Sequence, residues 1–250
     1  MELITPTPFN PKSWGRRLSI EQINKVRVPE PEGRYRAVPH QIATEMLEER
    51  LAKHNFQVSE PAHYLSKNEG SMLSMYAVAL DGLPEMPGVQ AQWEFCLRNS
   101  YDKTVSLQLL WGTRVFICGN GMVLADNKYR RKHTTNIMDD IHAVMTNGVQ
   151  SLISGAATEV EIMEAFQQSE VTDYHADHLI MEAMRRKIIN PAGVGEVWQH
   201  WSEPEHEEFK PRTKFSLMNA FTSRDRGRNL FTQPERMSGV RSLLLEPANA

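Results

Sequence analysis

The sequence predicts an α+β chain, with a mainly antiparallel sheet containing a β-hairpin in the first half and a helical second half. Three observations predict it. In Ser71–Leu80, residues Leu73, Met75, Ala77 and Ala79 alternate with Ser74, Tyr76 and Val78, the period of a strand. Gly119-Asn120-Gly121 separates Val115-Phe116-Ile117-Cys118 from Met122-Val123-Leu124, and Asn-Gly between β-prone runs favours a hairpin because both residues tolerate positive φ. Beyond His133 the apolar spacing becomes helical, as in Ile141, Val144, Met145, Val149, Leu152 and Ile153.

Residues 1–33 carry Pro6, Pro8, Pro11, Pro29 and Pro31 and close on Gly33, so an extended arm over the domain or a neighbouring subunit is expected. Within it, Ser19 and Gln22 have capping-box spacing, which predicts a short helix over 19–25. Residues 34–222 form the expected core domain, sheet-rich over 34–127 and helical over 134–222, followed by a tail at 223–250. Strands are expected at 34–38, 56–58, 71–80, 89–99, 104–110 and 113–118, with a turn-rich loop at 82–88. A helix over 40–54 places Ile42, Met46, Leu47 and Leu51 along one face. In the second half, Thr158 and Glu161 are spaced to cap a new helix carrying Val160, Met163 and Phe166. Further helices are expected at 173–189, 191–201 and 215–222, and the tail is broken by Gly227, Pro234, Gly239 and Pro247.

The 250 residues are 40% hydrophobic and 24% charged, the balance of a folded globular chain. The formal net charge of -3 rules out a basic field over the whole molecule, so any nucleic-acid binding must come from a local patch. No apolar run approaches the length of a membrane span, and Met1–Pro6 has no signal-peptide character. Cys96 and Cys118 sit in strand-like runs and read as buried thiols of a reducing compartment, which makes a cytoplasmic location the expectation.

The densest basic cluster is Lys128-Tyr129-Arg130-Arg131-Lys132-His133. From Arg98 to His133 the cations Arg98, Lys103, Arg114, Lys128, Arg130, Arg131 and Lys132 face only Asp102 and Asp126. Cations spaced along a groove neutralise successive phosphates, and Tyr101 and Tyr129 beside them would offer stacking faces for bases. These residues, with His133, are the candidate nucleic-acid site, and single-stranded DNA is the expected ligand. The plainer alternative is a solvated loop whose charges only confer solubility.

A second basic stretch, Lys210, Arg212, Lys214, Arg224, Arg226, Arg228, Arg236 and Arg241, follows the acidic Glu203, Glu205, Glu207 and Glu208. Opposite blocks suit contacts between subunits, a homo-oligomer or a host protein partner, and pairing within the chain serves equally well. His175 and His178 lie three apart beside Asp173 and Asp177, but no ligands that would close a metal site can be named. No phosphate-binding glycine loop, zinc ribbon or nucleophile elbow is present, so no cofactor, catalytic residue or metal ligand is named, and a metal-assisted nuclease resting on the histidines stands as the third reading.

The runs Leu97-Arg98-Asn99-Ser100-Tyr101-Asp102-Lys103-Thr104, Gly112-Thr113-Arg114-Val115-Phe116-Ile117-Cys118-Gly119-Asn120-Gly121 and Arg131-Lys132-His133-Thr134 resemble the phage/plasmid-like proteins of domain-of-unknown-function family 932. Pro204-x-His206-Glu207-Glu208-Phe209 and Leu217-x-Asn219-Ala220-Phe221-Thr222 fit the same pattern, and the likeness covers about 34–222. Where the family pattern continues with an acid and a lysine, Ser223-Arg224 stand here. The resemblance implies a mobile-element context beside replication and recombination genes, and no activity. A sheet followed by helices with a basic hairpin also looks loosely like the ring-forming single-strand annealing proteins, a likeness of fold alone.

Overall fold

The computed structural model describes residues 15–88, 91–115, 129–225 and 233–246. The alternation of the first half resolves into a sheet of β1 (Gly15–Leu18), β2 (Gln57–Val58), β3 (Ala62–Ser66), β4 (Ser71–Ala79), β5 (Ala91–Ser100), β6 (Leu107–Val115) and β7 (Tyr129–Arg131). Its order is β1-β3-β4-β5-β6-β7, with β2 continuing beside β4 beyond β3, and every pairing is antiparallel. The helices are α1 (Ile20–Ile23), α2 (His40–Lys53), α3 (Ile137–Gln168), α4 (Asp173–Arg185), α5 (Ala192–Ser202), α6 (Lys214–Arg224) and α7 (Gln233–Leu245). The expected α+β order, sheet first and helices second, is the order observed.

One sheet face packs on α2 and the first half of α3. Tyr76 and Val78 of β4, Trp93, Phe95 and Leu97 of β5, and Leu107, Leu109 and Trp111 of β6 bury there with Leu47, Leu51, Ile141, Met145 and Val149. Each such side chain contributes about 1.5–3 kcal/mol. Gly148 lets α3 come close, since a Cβ there would sit 2.5 Å from Leu109 Cδ2. The far end of α3 belongs to a second core, where Met163 and Phe166 meet α4 to α7. A helix of 32 residues spans about 48 Å, enough to serve both cores.

Several local expectations change. Residues 15–18 of the arm are the outer strand β1 on β3, and the expected short helix is α1, where Ser19 N–H donates to Gln22 Oε1 at 3.0 Å. Residues 34–38 are no strand: their backbone is held by Arg36 N–H to His133 O and by Asn99 Nδ2 to Val38 O, and Pro39 follows. β3 carries no alternation that would announce it, because its five residues are too short a run to show a period. The break expected between 110 and 113 is absent, since β5 pairs with β6 straight through Gly112. Thr158 caps nothing: Leu152, Ala156, Glu159 and Met163 keep helical spacing against buried surfaces, so α3 runs through. Residues 186–189 lie beyond the end of α4.

The tail contains α7. Pro234 falls in its first turn, where a missing N–H costs nothing, and Gly239 lies against Ile188. Met237, Val240, Leu243 and Leu244 of this helix are buried. Beyond Val115 the expected hairpin, over 116–124, falls outside the described residues, as do Cys118, Lys128, Arg226 and Arg228. Cys96 is buried.

Candidate nucleic-acid interface

Three chain segments meet at the end of the sheet where β5 turns into β6 and where β7 finishes. The first carries Arg34-Tyr35-Arg36 towards α2. The second is the turn Tyr101–Thr104, and the third is β7 with Lys132 and His133. Arg36 N–H donates to His133 O at 3.3 Å, which sets the first segment beside the third. Tyr35 O–H reaches Ser100 O at 3.2 Å and Tyr101 O at 3.1 Å, which ties it to the turn. Lys103 Nζ lies 4.9 Å from the Tyr35 ring centre and pairs with Glu32 at 2.5 Å.

Beneath them a buried polar group joins all three. The Asn99 carboxamide donates to Val38 O at 2.7 Å and to His40 Nδ1 at 2.9 Å, and it accepts from His133 Nε2 at 2.7 Å. The Tyr101 ring stacks on His40 with centres 3.9 Å apart, and its hydroxyl accepts the His40 backbone N–H at 2.8 Å. That hydroxyl satisfies one of the orphan donors at the start of α2. Both imidazoles are held neutral. Burial and then the nearby His133 push His40 down to about 3, and burial pushes His133 down to about 4. Alongside, Asp102 accepts from Thr104, Ser71 and Asn68; burial opposes its ionisation, but these hydrogen bonds hold its carboxyl below the usual range.

The predicted site residues divide. Arg130 and Lys132 are exposed and have no carboxylate partner among the described residues. Arg131 is exposed and paired with Asp140 at 2.6 Å. In register, Arg130 shares the sheet face of Gln108 and Arg98, whereas Tyr129 and Arg131 take the α3 face, so the basic run wraps around the strand. Tyr129 packs on the sheet–helix core and Tyr101 on His40, which turns both rings inward. Arg98 is 2% exposed between Gln108 at 3.0 Å and Glu235 of α7 at 2.6 Å. His133, at 7%, belongs to the buried group. Arg98 and His133 therefore support the surface from within. The side chain of Arg114 and all of Lys128 lie outside the described residues.

Sequence reading missed Arg34, Tyr35 and Arg36, although basic–aromatic–basic was a usable signal. It gave no hint of His40 or Asn99 as the link.

Of the second basic stretch, most is paired within the chain. Lys210 bonds Glu207, Arg212 lies over the Trp201 ring, and Lys214 reaches Leu244 O. Arg224 and Arg236 share Asp225, and Arg241 meets Glu159 at 2.7 Å. Among the described residues no group of three or more His, Cys, Asp or Glu is placed to hold a metal ion, His175 and His178 included. No described helix is long and apolar enough to cross a membrane.

A sequence model of the family described as "Domain of unknown function (DUF932)" matches residues 31–243. No curated protein and no solved structure matches.

Proposed function

The chain belongs to this family of domains of unknown function, and from its grouped cations we propose that it is a phage- or plasmid-encoded protein that binds single-stranded DNA. It acts as a homo-oligomer, in strand annealing during recombination or replication, with no cofactor and no bond chemistry. The observation that carries this reading is the convergence of Arg34-Tyr35-Arg36 with Arg130-Arg131-Lys132, joined where Arg36 N–H meets His133 O.

Arg34, Arg36, Arg130 and Lys132 contact phosphates. Lys103 and Arg131 join when a phosphate replaces Glu32 or Asp140, exposed pairs that cost little to exchange. The inward turn of Tyr101 and Tyr129 favours contact with the backbone over stacking. A strand held by its phosphates keeps its bases outward, which is what annealing to a complement requires. Arg224, Arg236 and Arg241 pair with buried carboxylates within the chain, which favours the DNA reading over a protein partner docked on segregated charge blocks.

The test is binding of labelled single-stranded and duplex DNA across a salt series, with the oligomeric mass measured in parallel. Neutralising Arg130, Arg131 and Lys132 together is expected to abolish tight binding. Unchanged affinity and salt slope in that variant overturn the assignment.

A further inference from the structure

We infer that Asn99 is a positioning residue for strand binding: its carboxamide fixes the Arg34–Arg36 segment against the Arg130–Lys132 segment, so that cations of both meet phosphates of one strand. The inference rests on the binding reading above and adds the element that makes one surface of two segments.

Asn99 is fully buried, and every described bond of its carboxamide goes to one of these two segments. Val38 and His40 follow Arg36 by two and four residues, and His133 follows Lys132 directly. The task needs donors on one side and an acceptor on the other of a short planar group, which asparagine supplies. Aspartate keeps the acceptor and loses both donors; leucine of similar size loses all three bonds. Among the described residues the one backbone hydrogen bond between the segments, Arg36 N–H to His133 O, is long at 3.3 Å, and Tyr35 adds a ring contact to His133 at 5.7 Å. Two weak phosphate-binding segments held in fixed relation bind one strand with the advantage of a linked second contact, and that advantage is lost when their relation is loose.

The experiment compares the full-length protein with Asn99→Leu and with His63→Leu in single-strand binding across a salt series. All are measured below the melting temperature of each variant. His63 is buried in the same sheet and bonds Ser74 at 2.8 Å, away from both segments, so its variant reports destabilisation alone. Arg34, Arg36, Arg130 and Lys132 alone contribute about -3 to the slope of log affinity against log salt, and Asn99→Leu is expected to halve that contribution, while His63→Leu leaves it unchanged. If Asn99→Leu does not fold, Asn99→Asp keeps the His133 bond and is expected to lose the share of slope due to Arg34 and Arg36. An unchanged slope in a folded Asn99 variant, or an equal fall in His63→Leu, overturns the inference while leaving the binding reading intact. Absence of binding by the wild-type chain overturns both.

Discussion

Asn99 Oδ1 accepts a hydrogen bond from His133 Nε2 at 2.7 Å, so the second-last residue of β5 holds the segment that follows β7. The same carboxamide donates to Val38 O and His40 Nδ1, so one side chain closes three parts of the chain over the sheet. Removing it leaves a backbone carbonyl and two imidazole nitrogens buried without their partner. Asn99→Ala is expected to destabilise the fold by about 2–4 kcal/mol, read from the midpoint of urea unfolding.

Acid sensitivity follows from the neutral histidines. Burial, with smaller charge effects, lowers His40 to about 3 and His63 to about 4, and burial lowers His133 to about 4. An unfolded histidine, near 6.5, takes up a proton that the folded one refuses, so stability rises with pH. This contribution is complete above pH 6.5 and is lost as pH falls towards 4, at up to about 1.4 kcal/mol per pH unit for each group. Urea midpoints should drop steadily from pH 7 to pH 5, and His133→Phe should flatten part of that drop. A midpoint independent of pH over this range contradicts the buried placement.

The pair Glu159–Arg241 ties α7 to α3 with both side chains almost fully buried. Glu159→Gln or Arg241→Met alone removes one half of this buried ion pair and is expected to cost about 3–5 kcal/mol. The double change Glu159→Met with Arg241→Met should recover much of it, which thermal melts of the single and double variants will show.

Gly148 sets the distance between α3 and β6. Gly148→Ala adds a methyl 2.5 Å from Leu109 Cδ2 and 3.1 Å from Leu109 Cγ, in a fully buried site. The expected loss is about 1–3 kcal/mol despite the better helix propensity of alanine. Leu109→Ala in the same chain should relieve the clash, so the two losses should not add.

Periodicity made the sheet and the helices legible, because β4 to β6 alternate and α4 carries Leu179, Ile180 and Ala183 on one face. It failed where packing overrides local signals. β3, at five residues, is too short to show a period, α3 runs through Gly155 and the apparent cap at Thr158, and α7 forms because its apolar residues complete the helical core. The cations of β7 were legible as charge; their facing was not, since whether Arg98 points to solvent depends on Glu235, 137 residues away. Asn99, His40 and His133 could not be joined by any spacing rule, because their contact is made only by the folded sheet. Arg34-Tyr35-Arg36 has the composition of a strand by sequence alone, and the turn to α2 through Pro39 overrides it.

The central claim is that two basic segments form one phosphate-binding surface. The direct measurement is the salt dependence of single-stranded DNA binding for the wild-type chain, for Arg34→Gln with Arg36→Gln, and for Arg130→Gln with Lys132→Gln. Each pair of substitutions is expected to lower the slope by about 1.4. The four substitutions together are expected to leave only weak binding. A slope that either pair leaves untouched contradicts the claim, and absence of binding by the wild-type chain at low salt removes it.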